Sequence, residues 1–149
     1  MKCFCVDASF LIAVYDPADG KHEAAFELFG LLFDESRASL VAPWPILYET
    51  VSTRLVRRRD SIEELSRHLR LLDREGRLSF LDDSAYRERE LRAVFEELER
   101  GPHYRHLSLV DRVVRRVLAD DSLAIHGVVT YNSRDFVDVC HARGCEIIP

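Results

Sequence analysis

Lysine is almost missing from this chain: of its 21 basic residues only Lys2 and Lys21 are lysines, and the rest are arginines. Any phosphate-binding surface must therefore rest mainly on planar guanidinium groups, which grip oxyanions with two prongs, rather than on ammonium point charges. Long apolar runs are also lacking. The longest near the N-terminus, Phe10 to Val14, is too short for a signal peptide or a membrane span. No C-x-x-C pair and no H-E-x-x-H spacing occurs, so neither thiols nor paired histidines announce a metal site. The four cysteines, Cys3, Cys5, Cys140 and Cys145, are read as reduced residues of a cytoplasmic protein. There is no internal repeat, no low-complexity linker, and no Ser/His/Asp or Cys/His motif.

What is present suits one folded domain spanning residues 1–149. Hydrophobic residues make up 47% and charged residues 32%, which excludes both a disordered chain and a membrane-embedded one. The formal charge of −5 argues at first against a nucleic-acid partner. That argument weakens if several acids form one site whose charge a bound cation offsets. Arginines cluster at Arg54, Arg57, Arg58 and Arg59 and again at Arg112, Arg115 and Arg116; Arg57, Arg112 and Arg115 are the candidate RNA contacts, with surface ion pairs to the abundant glutamates as the competing reading. His103 and His106 are weaker candidates of the same kind.

Strands are expected at Phe4–Val6, Ser39–Ala42, Leu78–Leu81, Gly127–Thr130 and Cys145–Ile148. Helical spacing of apolar residues fills the intervals. It is carried by Phe26, Phe29 and Phe33, by Trp44, Leu47, Tyr48, Val51 and Leu55, by Ile62 through Leu72, by Leu91 through Leu98, and by Val110 through Leu118. Alternation of this kind predicts an α/β fold with a five-stranded parallel sheet between helical layers. Two places where helices follow one another predict an added helical arm and an extra crossover.

Four acids fall where such a fold gathers them. Asp7 ends the first strand, Glu49 lies in the first turns after the second, Asp111 opens a helix three residues after Ser108, and Asp135 follows the fourth strand three residues after Asn132. All four belong to the carboxyl edge of the sheet, where ligands bind in open parallel sheets. Taken singly, Asp111 and Asp135 also suit helix starts, and Glu49 a solvated helix face. Taken together, four carboxylates repel unless a cation offsets them, and hard oxygen ligands suit Mg²⁺ or Mn²⁺.

The stretches Val6-Asp7-Ala8-Ser9-Phe10-Leu11-Ile12, Leu107-Ser108-Leu109-Val110-Asp111 and Thr130-x-Asn132-x-x-Asp135-Phe136, with Glu49 between them, resemble the PIN-domain ribonucleases, and in size the VapC-type toxins of toxin–antitoxin pairs. The resemblance runs from about Phe4 to the C-terminus. It implies a PIN-like α/β/α fold and a Mg²⁺- or Mn²⁺-dependent endoribonuclease acting on single-stranded RNA. Asp7, Glu49, Asp111 and Asp135 would be the catalytic and metal-binding acids, with Ser9, Thr130 and Asn132 as accessory residues that orient ligands or water. An antitoxin protein and a homodimer joined through residues 44–75 are the implied partners. Asn132 stands where many relatives carry aspartate, and Arg112 where a small residue is commoner, which would set a cation beside the scissile phosphate. Other classes fit less well. A haloacid-dehalogenase-type phosphatase needs an aspartate where Ser9 stands, and a receiver domain needs a lysine near Ile147-Ile148-Pro149. A scaffold with idle acids that binds RNA or protein, and a solitary RNA-processing nuclease, are the alternatives to the toxin.

Overall fold

The computed structural model describes residues 1–52 and 54–149. The chain runs through β1 (Cys3–Val6), α1 (Ala8–Tyr15), α2 (His22–Phe29), β2 (Ser39–Pro43), α3 (Trp44–Val51), α4 (Arg59–Arg74), β3 (Leu78–Leu81), α5 (Ser84–Glu99), α6 (Leu109–Ala119), β4 (Gly127–Val129), α7 (Val137–Arg143) and β5 (Glu146–Ile148). A π-helical turn, Gly30–Glu35, extends α2, and short 3-10 turns occupy Arg54–Arg57 and Ser133–Asp135. All five strands pair in parallel, in the order β3-β2-β1-β4-β5. Helix α1 contacts α2, α3 and α4, while α6 contacts α5 and α7, so the sheet lies between two helical groups.

The central strands explain why their sequences show unbroken apolar runs rather than alternation. Phe4, Cys5 and Val6 of β1 and Val128 and Val129 of β4 are all buried, as strands covered on both faces must be. β4 also approaches β5 very closely: a Cβ at Gly127 would lie 2.5 Å from the Glu146 carbonyl oxygen, so glycine is required there. β1 lies at the centre of the order. The chain leaves it to build β2 and β3 on one side, then β4 and β5 on the other, which opens a crevice at the carboxyl ends of β1 and β4.

The five strands fall where the hydrophobic runs predict them, within one residue at each end. Two helices differ. The stripe Trp44, Tyr48 and Val51 was expected to face the core, yet these residues are 57%, 63% and 40% exposed. Pro45, Ile46 and Thr50 make the buried face instead, and α3 ends at Val51. A window of eight residues carries two competing apolar stripes, and only the docking of α3 on α1 selects one. Phe26 of α2 is likewise 45% exposed, although Phe29 and Phe33 are buried. The helical arm after α3 is folded back on the body. Leu65 and Leu72 of α4 are buried, and His68 Nδ1 hydrogen-bonds the Tyr15 hydroxyl at 2.9 Å while its ring stacks on Phe29.

Candidate active site

Asp7 is the most constrained of the four acids. It follows β1, its backbone N–H continues the sheet by donating to Val129 O at 3.0 Å, and its residue caps α1. Its side chain is almost fully buried and accepts three hydrogen bonds. Ala8 N donates to Oδ1 at 2.8 Å, Ser9 Oγ to Oδ2 at 2.7 Å, and Thr130 Oγ1 to Oδ2 at 2.9 Å. A carboxylate offers about four acceptor directions, so Oδ2 is filled and Oδ1 keeps one direction for a further partner. Thr130 Oγ1 in turn accepts from Asn132 N at 2.9 Å, and Ser9 Oγ from Tyr131 N at 3.4 Å. β1 and the loop after β4 are thus stitched together through Asp7.

Asp111 and Asp135 are placed by the start of a helix and of a 3-10 turn, and Glu49 by the second half of α3. Ser108 caps α6, accepting from Asp111 N at 3.0 Å and donating from its hydroxyl to Asp111 Oδ2 at 2.7 Å. Asn132 Nδ2 donates to Asp135 Oδ2 at 2.5 Å. Glu49 sits half-buried in α3. Burial raises its carboxyl above the usual range, and the charges of Asp7 and Asp111 add to the rise. Burial also raises Asp111, with Asp7 and Asp135 adding and hydrogen bonding from Ser108 opposing. Each of these two acids therefore senses the charge of two others, and the four share one electrostatic field at the carboxyl edge of the sheet. Among the described residues, no group of three or more His, Cys, Asp or Glu side chains comes close enough together to hold one ion.

The arginines divide by environment. Arg112, expected beside the scissile phosphate, is instead 5% exposed and faces α5, where Nη1 and Nη2 donate to the two Glu97 carboxylate oxygens at 3.0 and 2.8 Å. Nη2 also donates to Arg105 O at 2.8 Å. With both terminal nitrogens engaged by protein and the guanidinium buried, Arg112 clamps two helices and does not present itself to a ligand. Arg115 donates to Asp135 O at 2.5 Å and grips Asp138 with both terminal nitrogens, which fixes the loop carrying Asp135. Arg57 is exposed, as are His103 and His106. Two features escaped sequence reasoning. Asp16 is fully buried beside Arg54 and Arg58, so half of the first arginine cluster holds the end of α1. Tyr131, an unremarkable loop residue in the sequence, packs on Phe10 behind the accessory residues.

No known sequence family and no curated protein matches the chain. Among solved structures, Mycobacterium tuberculosis VapC20, described as a Sarcin-Ricin loop cleaving toxin, superposes with a TM-score of 0.58 over 91% of this chain and 94% of the other at 17% identity. This chain has the PIN-domain fold. Among the described residues no helix is long and apolar enough to cross a membrane, and none of the four cysteines is disulfide-bonded.

Proposed function

We propose that the whole chain is a single Mg²⁺- or Mn²⁺-dependent endoribonuclease domain cleaving single-stranded RNA, as the toxin of a toxin–antitoxin pair in the cytoplasm. The observation that carries the reading is the shared field of the four acids. Burial and mutual charge raise Glu49 and Asp111, which is the condition a divalent cation relieves. An all-oxygen donor set of Asp7, Glu49, Asp111 and Asp135 suits a hard cation rather than zinc. Such an ion, when bound, supplies activation of a water and screening of the phosphate charge. The chain's own residues do the rest. Ser9 and Thr130 fix the Asp7 carboxylate, Ser108 and Asn132 orient Asp111 and Asp135, and Glu49 holds the ion or orients the attacking water at its carboxylate. Unpaired RNA is the substrate class because its backbone bends into a narrow site.

Partners follow from surfaces. The exposed Val51, Val56 and Leu71 lie within residues 44–75 and support a homodimer joined there. An apolar groove of about 190 Å³ between Trp44, Tyr48, Leu109 and Val113, on the same two helices that carry Glu49 and Asp111, supports an antitoxin that lays an apolar segment in it and an arginine among the acids. The idle scaffold draws on a different observation, the absence of a preformed three-ligand cluster among the described residues. One experiment separates them: partner-free protein is incubated with structured RNA and Mg²⁺ or Mn²⁺, then with excess chelator, alongside Asp7→Asn. Cleavage that needs metal and Asp7 supports the nuclease. Cleavage that survives chelation rejects the metal mechanism, and no cleavage under any condition favours the scaffold.

A further inference from the structure

Ser9 belongs to two places at once. Its hydroxyl donates to Asp7, and it also lines a separate cleft of about 670 Å³ whose other walls are Ile12, Asp19, Lys21, Arg54 and Tyr131. That volume lies within the roughly 300–1,000 Å³ of small-ligand clefts. The floor is aromatic and the rim cationic. Lys21 Nζ stands 4.2 Å from the centroid of the Tyr131 ring, and Phe10 packs against the same ring at 6.1 Å. Asp19, the acid in the wall, accepts from Arg54 Nη2 at 3.0 Å and from the Lys21 backbone N–H at 2.9 Å. Among the described residues the Lys21 ammonium enters no ion pair and lies over the face of Tyr131, while Asp19 pairs with Arg54. Tyr131 lies between Thr130 and Asn132, which orient Asp7 and Asp135, so the cleft is linked to the acids through Ser9 and the loop after β4.

We infer that this cleft is a nucleotide subsite, which holds the nucleotide next to the cleaved phosphodiester with its base on Tyr131 and its phosphate against Lys21. In the free protein the ammonium covers the ring. A phosphate draws the flexible lysine aside, and a base takes its place, because stacking of a base on an aromatic ring outweighs an exposed cation–ring contact. Arg54, held by Asp16 and Asp19, is the fixed second cation on the rim. A stacked base must be unpaired, so the subsite selects single strands. The identity of the ligand rests on the ribonuclease reading, whereas the cleft's chemistry does not.

The test is binding without cleavage. A fluorophore-labelled five-nucleotide RNA is titrated with the protein in chelator, and anisotropy is followed over a range of salt. Tyr131→Leu weakens binding about tenfold through loss of one stacked base, and Tyr131→Phe binds as wild type. Lys21→Gln weakens binding several-fold and lowers the slope of log affinity against log salt by about 0.7, the share of one phosphate on a single strand. Thermal melts confirm that each variant is folded, and the exposed Lys21 carries the test should Tyr131→Leu not fold. Wild-type affinity in Tyr131→Leu, or an unchanged slope in Lys21→Gln, overturns the subsite. Metal-dependent cleavage by wild type together with that result retires the subsite and leaves the nuclease. RNA binding that depends on Tyr131 in a protein that never cleaves leaves the subsite and retires the nuclease.

Discussion

Arg112 offers the sharpest contrast between a surface arginine that binds RNA and one that holds the fold. Replacing it by methionine keeps much of its volume while removing two charge-assisted hydrogen bonds to Glu97, at 3.0 and 2.8 Å, and one to Arg105 O at 2.8 Å. Breaking a fully buried pair by deleting one partner costs about 3–5 kcal/mol, chiefly through the charge left behind. Here that charge is partly relieved: the Glu97 side chain is 31% exposed, and Glu97 keeps a hydrogen bond from Arg105 N at 3.2 Å. The substitution also removes Arg112 Nε, a buried donor without a partner, which lowers the cost further. We therefore expect Arg112→Met to destabilise by about 2–3 kcal/mol, or roughly 4–12 °C in melting temperature for a chain of this size. The second variant is Arg112→Met with Glu97→Gln, which removes the orphaned charge and recovers part of the loss. Urea denaturation of wild type, single and double variants measures it. A single variant as stable as wild type, with RNA affinity that falls more steeply at low salt, would show that Arg112 is a ligand-facing cation and that its placement between α5 and α6 is wrong.

Asp111→Asn should leave the metal-free fold as stable as wild type or more so, because it removes a charge that Asp7 and Asp135 repel, and should erase the stabilisation by Mg²⁺ seen in thermal melts; a loss of about 0.3–1 kcal/mol with the metal response intact would mark it as a mere helix cap. Thr130→Val leaves Asn132 N–H without its acceptor and Asp7 Oδ2 with one donor fewer, so urea midpoints should fall by an amount equivalent to about 1–3 kcal/mol, and cleavage should fall with them. Acid affects the protein with two signs. Glu97, held by Arg112 at about 2, and Asp16, lowered by its backbone hydrogen bond and by Arg54 and Arg58 against the pull of burial, stabilise above the ordinary carboxylate range. That stability is lost as pH falls through their folded values. Glu49 and Asp111, raised in the fold, oppose folding above their folded values, and the penalty vanishes as they take up protons. Metal-free melting temperature should therefore hold or rise from pH 7 toward the ordinary carboxylate values and then drop, and the initial rise should be absent in Glu49→Gln with Asp111→Asn. Light scattering at micromolar concentration should give a dimer, and a monomer there rejects the pairing through residues 44–75.

Much of this protein is determined by sequence alone, because its central strands and site segments are local signals. An apolar run such as Phe4-Cys5-Val6, buried on both faces, needs no partner to be recognised as a strand of a parallel sheet. Asp7 at its end and Ser108 three residues before Asp111 are likewise defined by neighbours in the chain, which is why the four acids could be named from their positions, whereas Ser9, Thr130 and Asn132 were named through the family resemblance. What the tertiary structure decided concerns side chains whose partners are distant. Trp44, Tyr48 and Val51 make as good an apolar stripe as Pro45, Ile46 and Thr50, and only packing against α1 chose which faces inward. Charge alone gives Arg112 and Arg57 the same standing, but Glu97, fifteen residues away on a neighbouring helix, buries one and leaves the other exposed. Lys21 and Tyr131 are more than a hundred residues apart, and no pattern in the chain joins them. They meet because β1 and β4 are adjacent in the sheet, a fact fixed by burial of both strands and visible only once the fold is assembled.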